Sequence, residues 1–176
     1  DEWKMPAVLF TDLPALYEPL GFQAIEQIYL AAPAGHLECA DEGFECEIAD
    51  TLDQARLDQM ARLHADAYPD YDGKVVRDTH YWQLYRMLFN PYPKPKILFA
   101  TDRDGIAGFA RCEVEDDRLL LAELCAPPDP PRISEALLAF TRDHACGLHR
   151  DSITLALPPD HFVLESLRQR VTLAPE

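Results

Sequence analysis

"LFATDRDGIAGFARCEVEDDRLLLAEL", residues 98–124, decides the fold. Its first strand begins slightly earlier, at "KILFATD" (96–102), and turns at "DRDG" (102–105) into "GIAGFARCEVE" (105–115). A turn at Asp116-Asp117 leads into "RLLLAELCA" (118–126). Three apolar runs joined by turns this short make an antiparallel meander. The third run alternates, with Leu119, Leu121, Glu123 and Cys125 on one side and Leu120, Ala122, Leu124 and Ala126 on the other. Glu123 is therefore expected in apolar company, partly buried, with Arg111 as a neighbour able to pair with it.

Upstream of the meander, "TLDQ" (51–54) fits a capping box, with Thr51 as N-cap and Gln54 reaching back. The helix it opens carries Leu57, Met60, Leu63 and Ala67 on one stripe and runs to about Tyr68, where "PDYDG" (69–73) breaks it. Asp78 or Thr79 can cap a second helix, on which Tyr81, Leu84, Tyr85 and Leu88 share a face until Pro91, Pro93 and Pro95 end it. Downstream, the proline loop "PPDPP" (127–131) leads to an amphipathic helix with Ile133, Leu137, Phe140 and His144 at helical spacing. A strand "SITLAL" (152–157) and a helix from Asp160 to about Arg170 follow. The order is that of a mixed α/β (α+β) domain.

The first residues form a separate pattern. "AVLFT" (7–11) reads as a buried strand, 14–20 as a short helix with Gly21 as its C-cap, and "QAIEQIYL" (23–30) as another strand. "AAPAGHLECADEG" (31–43), with Pro, two Gly and several acids, reads as a linker.

The chain has 176 residues and a formal net charge of −15. That field repels phosphate backbones and anionic lipid, so nucleic-acid and membrane-surface partners are disfavoured. Five cysteines at irregular spacing do not form a disulfide framework, no apolar run reaches the length of a membrane span, and no signal peptide is evident. A cytoplasmic protein is expected. The first residue, Asp1 rather than Met, is expected of a processed or trimmed chain. His144, Cys146 and His149 do not share one helix face, so no metal site is expected.

The element order around residues 98–124 resembles the GNAT superfamily of acyl-CoA-dependent N-acyltransferases. The resemblance implies a central mixed, mostly antiparallel sheet flanked by helices. The early segment, with Tyr17-x-x-x-Gly21-Phe22, resembles the strand–helix–strand that closes such a domain. Residues 1–32 are then the end of an N-terminal GNAT domain whose body is missing, 33–43 a linker, and 44–176 a second, degenerate domain. Matching Glu18 to Glu165 and Leu20 to Leu167 sets Leu164 under Tyr17, which supports an internal repeat.

In that superfamily a Gln/Arg-x-x-Gly-x-Gly/Ala loop presents backbone N–H groups to the cofactor pyrophosphate at a helix start. Here the equivalent stretch, "APPDPPRISEALL", has no glycine, and its four prolines lack the N–H that the task requires. Arg132 beside the helix start is the remaining anion-binding candidate. The resemblance assigns Tyr17 as the general acid for the departing thiolate, Glu123 as a base acting through water, and Tyr81, Trp82 and Tyr85 as an acceptor wall. Tyr17 and Glu123 also read as a packing aromatic and a core acid. The implied function is acetyl transfer from acetyl-CoA to a primary amine on a small molecule or peptide by the intact protein, with no cofactor bound to the second domain alone. The alternative is a non-catalytic GNAT-like structural, dimerisation or ligand-binding module. An orphaned strand edge needs a partner, so residues 7–30 are expected to pair with the second domain's sheet or to exchange within a homodimer.

Overall fold

The meander forms where its turns place it. In a computed structural model, residues 14–20, 29–36, 43–49, 51–67, 77–78, 80–82, 95–128 and 131–175 are described. In chain order the elements are β1 (Leu30–Pro33), β2 (Glu45–Ile48), α1 (Gln54–Ala67), β3 (Lys96–Asp102), β4 (Gly105–Val114), β5 (Arg118–Cys125), α2 (Arg132–Gly147), β6 (Ser152–Leu155), α3 (Phe162–Arg170) and β7 (Ala174–Pro175). The strands build one sheet in the order β2-β3-β4-β5-β6-β1-β7. All neighbours run antiparallel except β5 and β6. At the β3–β4 turn the Asp102 carboxylate accepts from Asp104 N at 2.8 Å, and Gly105 takes φ +121°, a conformation that side chains resist.

Helices cover both faces. Leu98, Ala100, Ala110, Cys112 and Leu119 face α2 and α3, where they meet Leu137, Leu138, Val163, Leu164 and Leu167. Ile97, Phe99, Phe109 and Cys125 face the other way, onto Leu57 and Met60 of α1 and onto Trp82. Leu164, the residue matched to Tyr17, is a core side chain here.

Some local readings change and others hold. The cap of α1 is Asp53 rather than Thr51: its carboxylate accepts from Arg56 N at 2.9 Å, while Gln54 bonds forward to Asp58. The buried stripe of α1 is Leu57, Met60 and His64, with Leu63 and Ala67 at its margin. Asp78 caps the second helical segment, accepting from Tyr81 N at 2.8 Å, and residues 80–82 are helical. Ala31–Pro33, read as the start of a linker, are strand: β1 pairs within the chain with both β6 and β7. The strand read at 7–11, and residues 23–28 of the one read at 23–30, lie outside the described residues. The short helix read at 14–20 is two 3-10 turns, Pro14–Leu16 and Glu18–Leu20.

One further change, in β5, positions the site. In the β4–β5 ladder Arg111 pairs with Glu123, but the next residue, Cys112, pairs with Leu121, so Ala122 is an extra residue in β5. Such a bulge reverses which face the following residues address. Leu119 and Leu121 therefore share their face with Leu124 and Ala126, while Glu123 and Cys125 point to the α1 side. Strict alternation had placed Glu123 with Leu119 and Leu121.

Candidate functional site

The bulge brings Glu123 into a charged cluster. Its side chain is 5% exposed, and Arg77 Nη1 donates to Oε1 at 2.5 Å. His64 Nε2 lies 3.6 Å from the same oxygen, and Arg111 Nε lies 3.6 Å from Oε2. Arg111 is shared, since it also pairs with Glu113. Cys125 Sγ stands 3.7 Å from Oε1. Arg77 in turn lies over the rings of Trp82 and Tyr81, at 5.3 and 5.5 Å from their centroids. Burial lowers the pKa of Arg77, but the Glu123 charge, the hydrogen bond to it and the nearby Tyr81 and Cys125 together outweigh that, and the net direction is up.

This arrangement holds a carboxylate in place between two guanidinium groups and an imidazole. Breaking a buried pair by removing one partner costs about 3–5 kcal/mol, because the other charge is left uncompensated. The expected pairing of Glu123 with Arg111 is present at 3.6 Å. Arg77 is closer and was missed, because nothing local in "GKVVRD" points to a partner 46 residues away. His64 was also missed, although its place seven residues after Leu57 continues the buried stripe.

Tyr81 and Trp82 join Glu123 through Arg77, and Trp82 packs edge-on against Phe109 with ring centroids 6.0 Å apart. Tyr85 lies outside the described residues. Tyr17 belongs to another part of the chain, half-buried between the two early 3-10 turns, where its carbonyl accepts from Leu20 N at 3.0 Å. Arg132 is the exposed first residue of α2, the helix that covers the sheet face opposite α1.

The start of α2 can be tested as a pyrophosphate cradle. Its N-cap is Pro131, which offers no N–H and no side-chain cap. Ser134 Oγ is turned back onto Pro131 O at 2.7 Å, and the acid Glu135 stands in the first turn. Ile133 packs so closely on the sheet that a Cβ at Gly108 would lie 2.6 Å from its Cγ2. A little further on, β5 and β6 part after Leu121 and Leu155. There His161 Nε2 donates to Leu124 O at 3.2 Å, while its Nδ1 accepts from Val163 N. Among the described residues, this donor set does not fit the pyrophosphate of coenzyme A. An open hollow of about 990 Å³ lies elsewhere, beside β1 and β7; Asp151 and Arg170 are its charged lining residues, and Arg170 is already paired with Glu135 at 2.6 Å. Among the described residues no His/Cys/Asp/Glu group could hold a metal ion, and no helix is long and apolar enough to cross a membrane.

No protein-family model and no curated protein sequence matches the chain. Solved structures do. A GCN5-related N-acetyltransferase from Kribbella flavida matches with TM-score 0.62 at 15% identity, over 96% of this chain and 39% of that one. A probable N-acyltransferase from Enterococcus faecalis, described as a conserved protein of unknown function, matches with TM-score 0.61 at 14% identity, over 80% and 35%. An aminoglycoside acetyltransferase from an uncultured soil metagenomic sample matches with TM-score 0.54 at 15% identity, over 72% and 86%. The chain thus spans little more than a third of the first two proteins. Its fold is the GNAT fold: a mixed, mostly antiparallel sheet flanked by helices.

Proposed function

We propose that the chain is part of a tandem GNAT-type N-acyltransferase. Residues 1–32 supply the end of one unit, whose last residues enter the sheet of the second as β1, 33–43 lead from it, and 44–176 form a second unit that does not itself hold acetyl-CoA. The intact protein transfers acetyl from acetyl-CoA to a primary amine on a small molecule or peptide, in the cytoplasm. The observation that carries this reading is the first turn of α2, where Pro131, the turned-back Ser134 and Glu135 leave no cradle for a pyrophosphate. Two facts support it. The chain matches 96% of itself to only 39% of a longer N-acetyltransferase, and the position matched to Tyr17 in the second unit is a core leucine, Leu164.

In this reading Tyr17 is the general acid of the upstream unit. Glu123 serves the second unit as the anchor of an ion-pair cluster rather than as a base, because Arg77, Arg111 and His64 already surround its carboxylate.

The test is a thiol-release assay with acetyl-CoA and a panel of primary amines, run on a longer polypeptide that includes upstream sequence. Turnover is expected, and Tyr17→Phe should lower kcat about a hundredfold or more, the usual contribution of a general acid. Unchanged turnover in that variant would remove Tyr17 from the chemistry. A second reading, a non-catalytic interaction module, draws on Leu16 and Leu20, which are 64% and 72% exposed and four residues apart. It predicts no turnover in the longer polypeptide and a homodimer in solution.

A further inference from the structure

β6 and β7 are joined by α3 and stand one strand apart, with β1 in the gap between them. Both run antiparallel to β1 and are therefore parallel to each other. They make a strand–helix–strand unit left open by one strand. The strand read at 7–11, the helical turns of 14–20 and β1 follow in the same order, and Glu18 and Leu20 match Glu165 and Leu167. They are a first copy of that unit. β1 is thus the closing strand of one copy, and it fills the gap in the other. It also pairs antiparallel with β7, the closing strand of that other copy, at Leu30↔Pro175 and Ala31↔Ala174. An antiparallel ladder between two copies of one strand is what a two-fold axis between them produces. That axis carries β1, set between β6 and β7, onto β7, set between β1 and residues 7–11.

We propose that the outer edge of β7 receives residues 7–11, so that the two units trade closing strands across a pseudo-two-fold axis and share one continuous sheet. The inference rests on the tandem reading of residues 1–32 and adds to it the surface through which the two units meet. Among the described residues β7 has β1 as its only neighbour, and a strand edge left open invites pairing. The apolar "AVLFT" of 7–11 suits that place, as the counterpart of the buried "SITL" of β6. The backbone groups are also in position. Ala34 N donates to Asp151 O beside β6, so by alternation Ala31 addresses β7. Its partner Ala174 is then engaged by β1, and Leu173 turns its N–H to the outer edge. Pro175 has no N–H, which makes Leu173 the donor that reports on that edge.

Amide exchange on the full chain, followed residue by residue by nuclear magnetic resonance, tests the edge. The Leu173 amide should exchange roughly a hundredfold or more slower than in an unfolded chain, and amides within 7–11 should be protected with it. Of Val8→Pro and Leu9→Pro, one removes the N–H that faces β7. That variant should speed Leu173 exchange about tenfold or more and leave the β4 and β5 amides at their parental rates. A freely exchanging Leu173 amide, or one that neither proline moves, would overturn the shared edge. Protection that grows with protein concentration would give the edge to a second copy and overturn it equally. The tandem reading is judged separately, by turnover of the longer polypeptide. Turnover together with a freely exchanging Leu173 amide would keep that reading and sink the two-fold arrangement.

Discussion

Gly108→Ala probes the contact between α2 and the sheet. The new Cβ would meet Ile133 Cγ2 at 2.6 Å, Cys125 O at 3.1 Å and the Ala126 Cβ at 3.2 Å. Ordinary contact lies at about 3.5–4.0 Å, so the first overlap is roughly 1 Å and the others a few tenths. Ile133 is 8% exposed and cannot swing clear, and the other two atoms belong to Cys125, the last residue of β5, and to the buried Ala126 that follows it. Overpacking of this kind costs about 1–3 kcal/mol. Replacing glycine returns about 0.5–1 kcal/mol by restricting the unfolded chain. The net expectation is a loss of roughly 1–2 kcal/mol, read as a urea midpoint lowered by about 0.5–1 M at an unchanged slope. Ile133→Ala removes the closest atom, so the double variant should be more stable than the sum of the single losses by about 1 kcal/mol. A neutral Gly108→Ala with strictly additive behaviour would refute the close approach of α2, and with it the argument that its first turn is sealed against the sheet.

Other consequences are equally specific. Asp53→Ala should cost about 1 kcal/mol through loss of the α1 cap, whereas Thr51→Ala should be close to neutral; equal losses in thermal melts would return the cap to Thr51. Burial lowers the pKa of His161, outweighing the Leu124 carbonyl and Asp160, and burial likewise lowers that of His144. Between those folded values and the ordinary value near 6.5, the unfolded chain binds more protons than the folded one. Stability is therefore full above about pH 6.5 and falls as the pH drops below it; His161→Asn should flatten that slope in urea melts, and an unchanged slope would contradict the assignment.

Much of this fold is legible in the residues. Lys96–Asp102 is the strand that "KILFATD" announces, because β-branched and aromatic residues run straight into an Asp-Gly turn. The α2 helix follows from its apolar spacing. The bulge at Ala122 is not legible: "RLLLAELC" satisfies strict alternation, and only the pairing partner on β4 reveals the extra residue. That single residue decides which face Glu123 addresses. β1 hides behind Pro33 and Gly35, since its strand character comes from β6 and β7 rather than from its own composition. Tyr81 and Trp82 could be named from the sequence, but the arginine that ties them to Glu123 is a long-range contact with no local signature. The lack of backbone N–H donors at the four prolines of 127–131, by contrast, is read directly from the sequence, because it is a property of the residue itself.

Central to the proposed function is a second unit that has the GNAT fold but does not itself hold acetyl-CoA. Calorimetric titration of acetyl-CoA into this chain tests that most directly. It predicts no saturable heat through the micromolar range, matching Pro131 at the start of α2 and the side chains packed behind it. Saturable micromolar binding at one site per chain would contradict it.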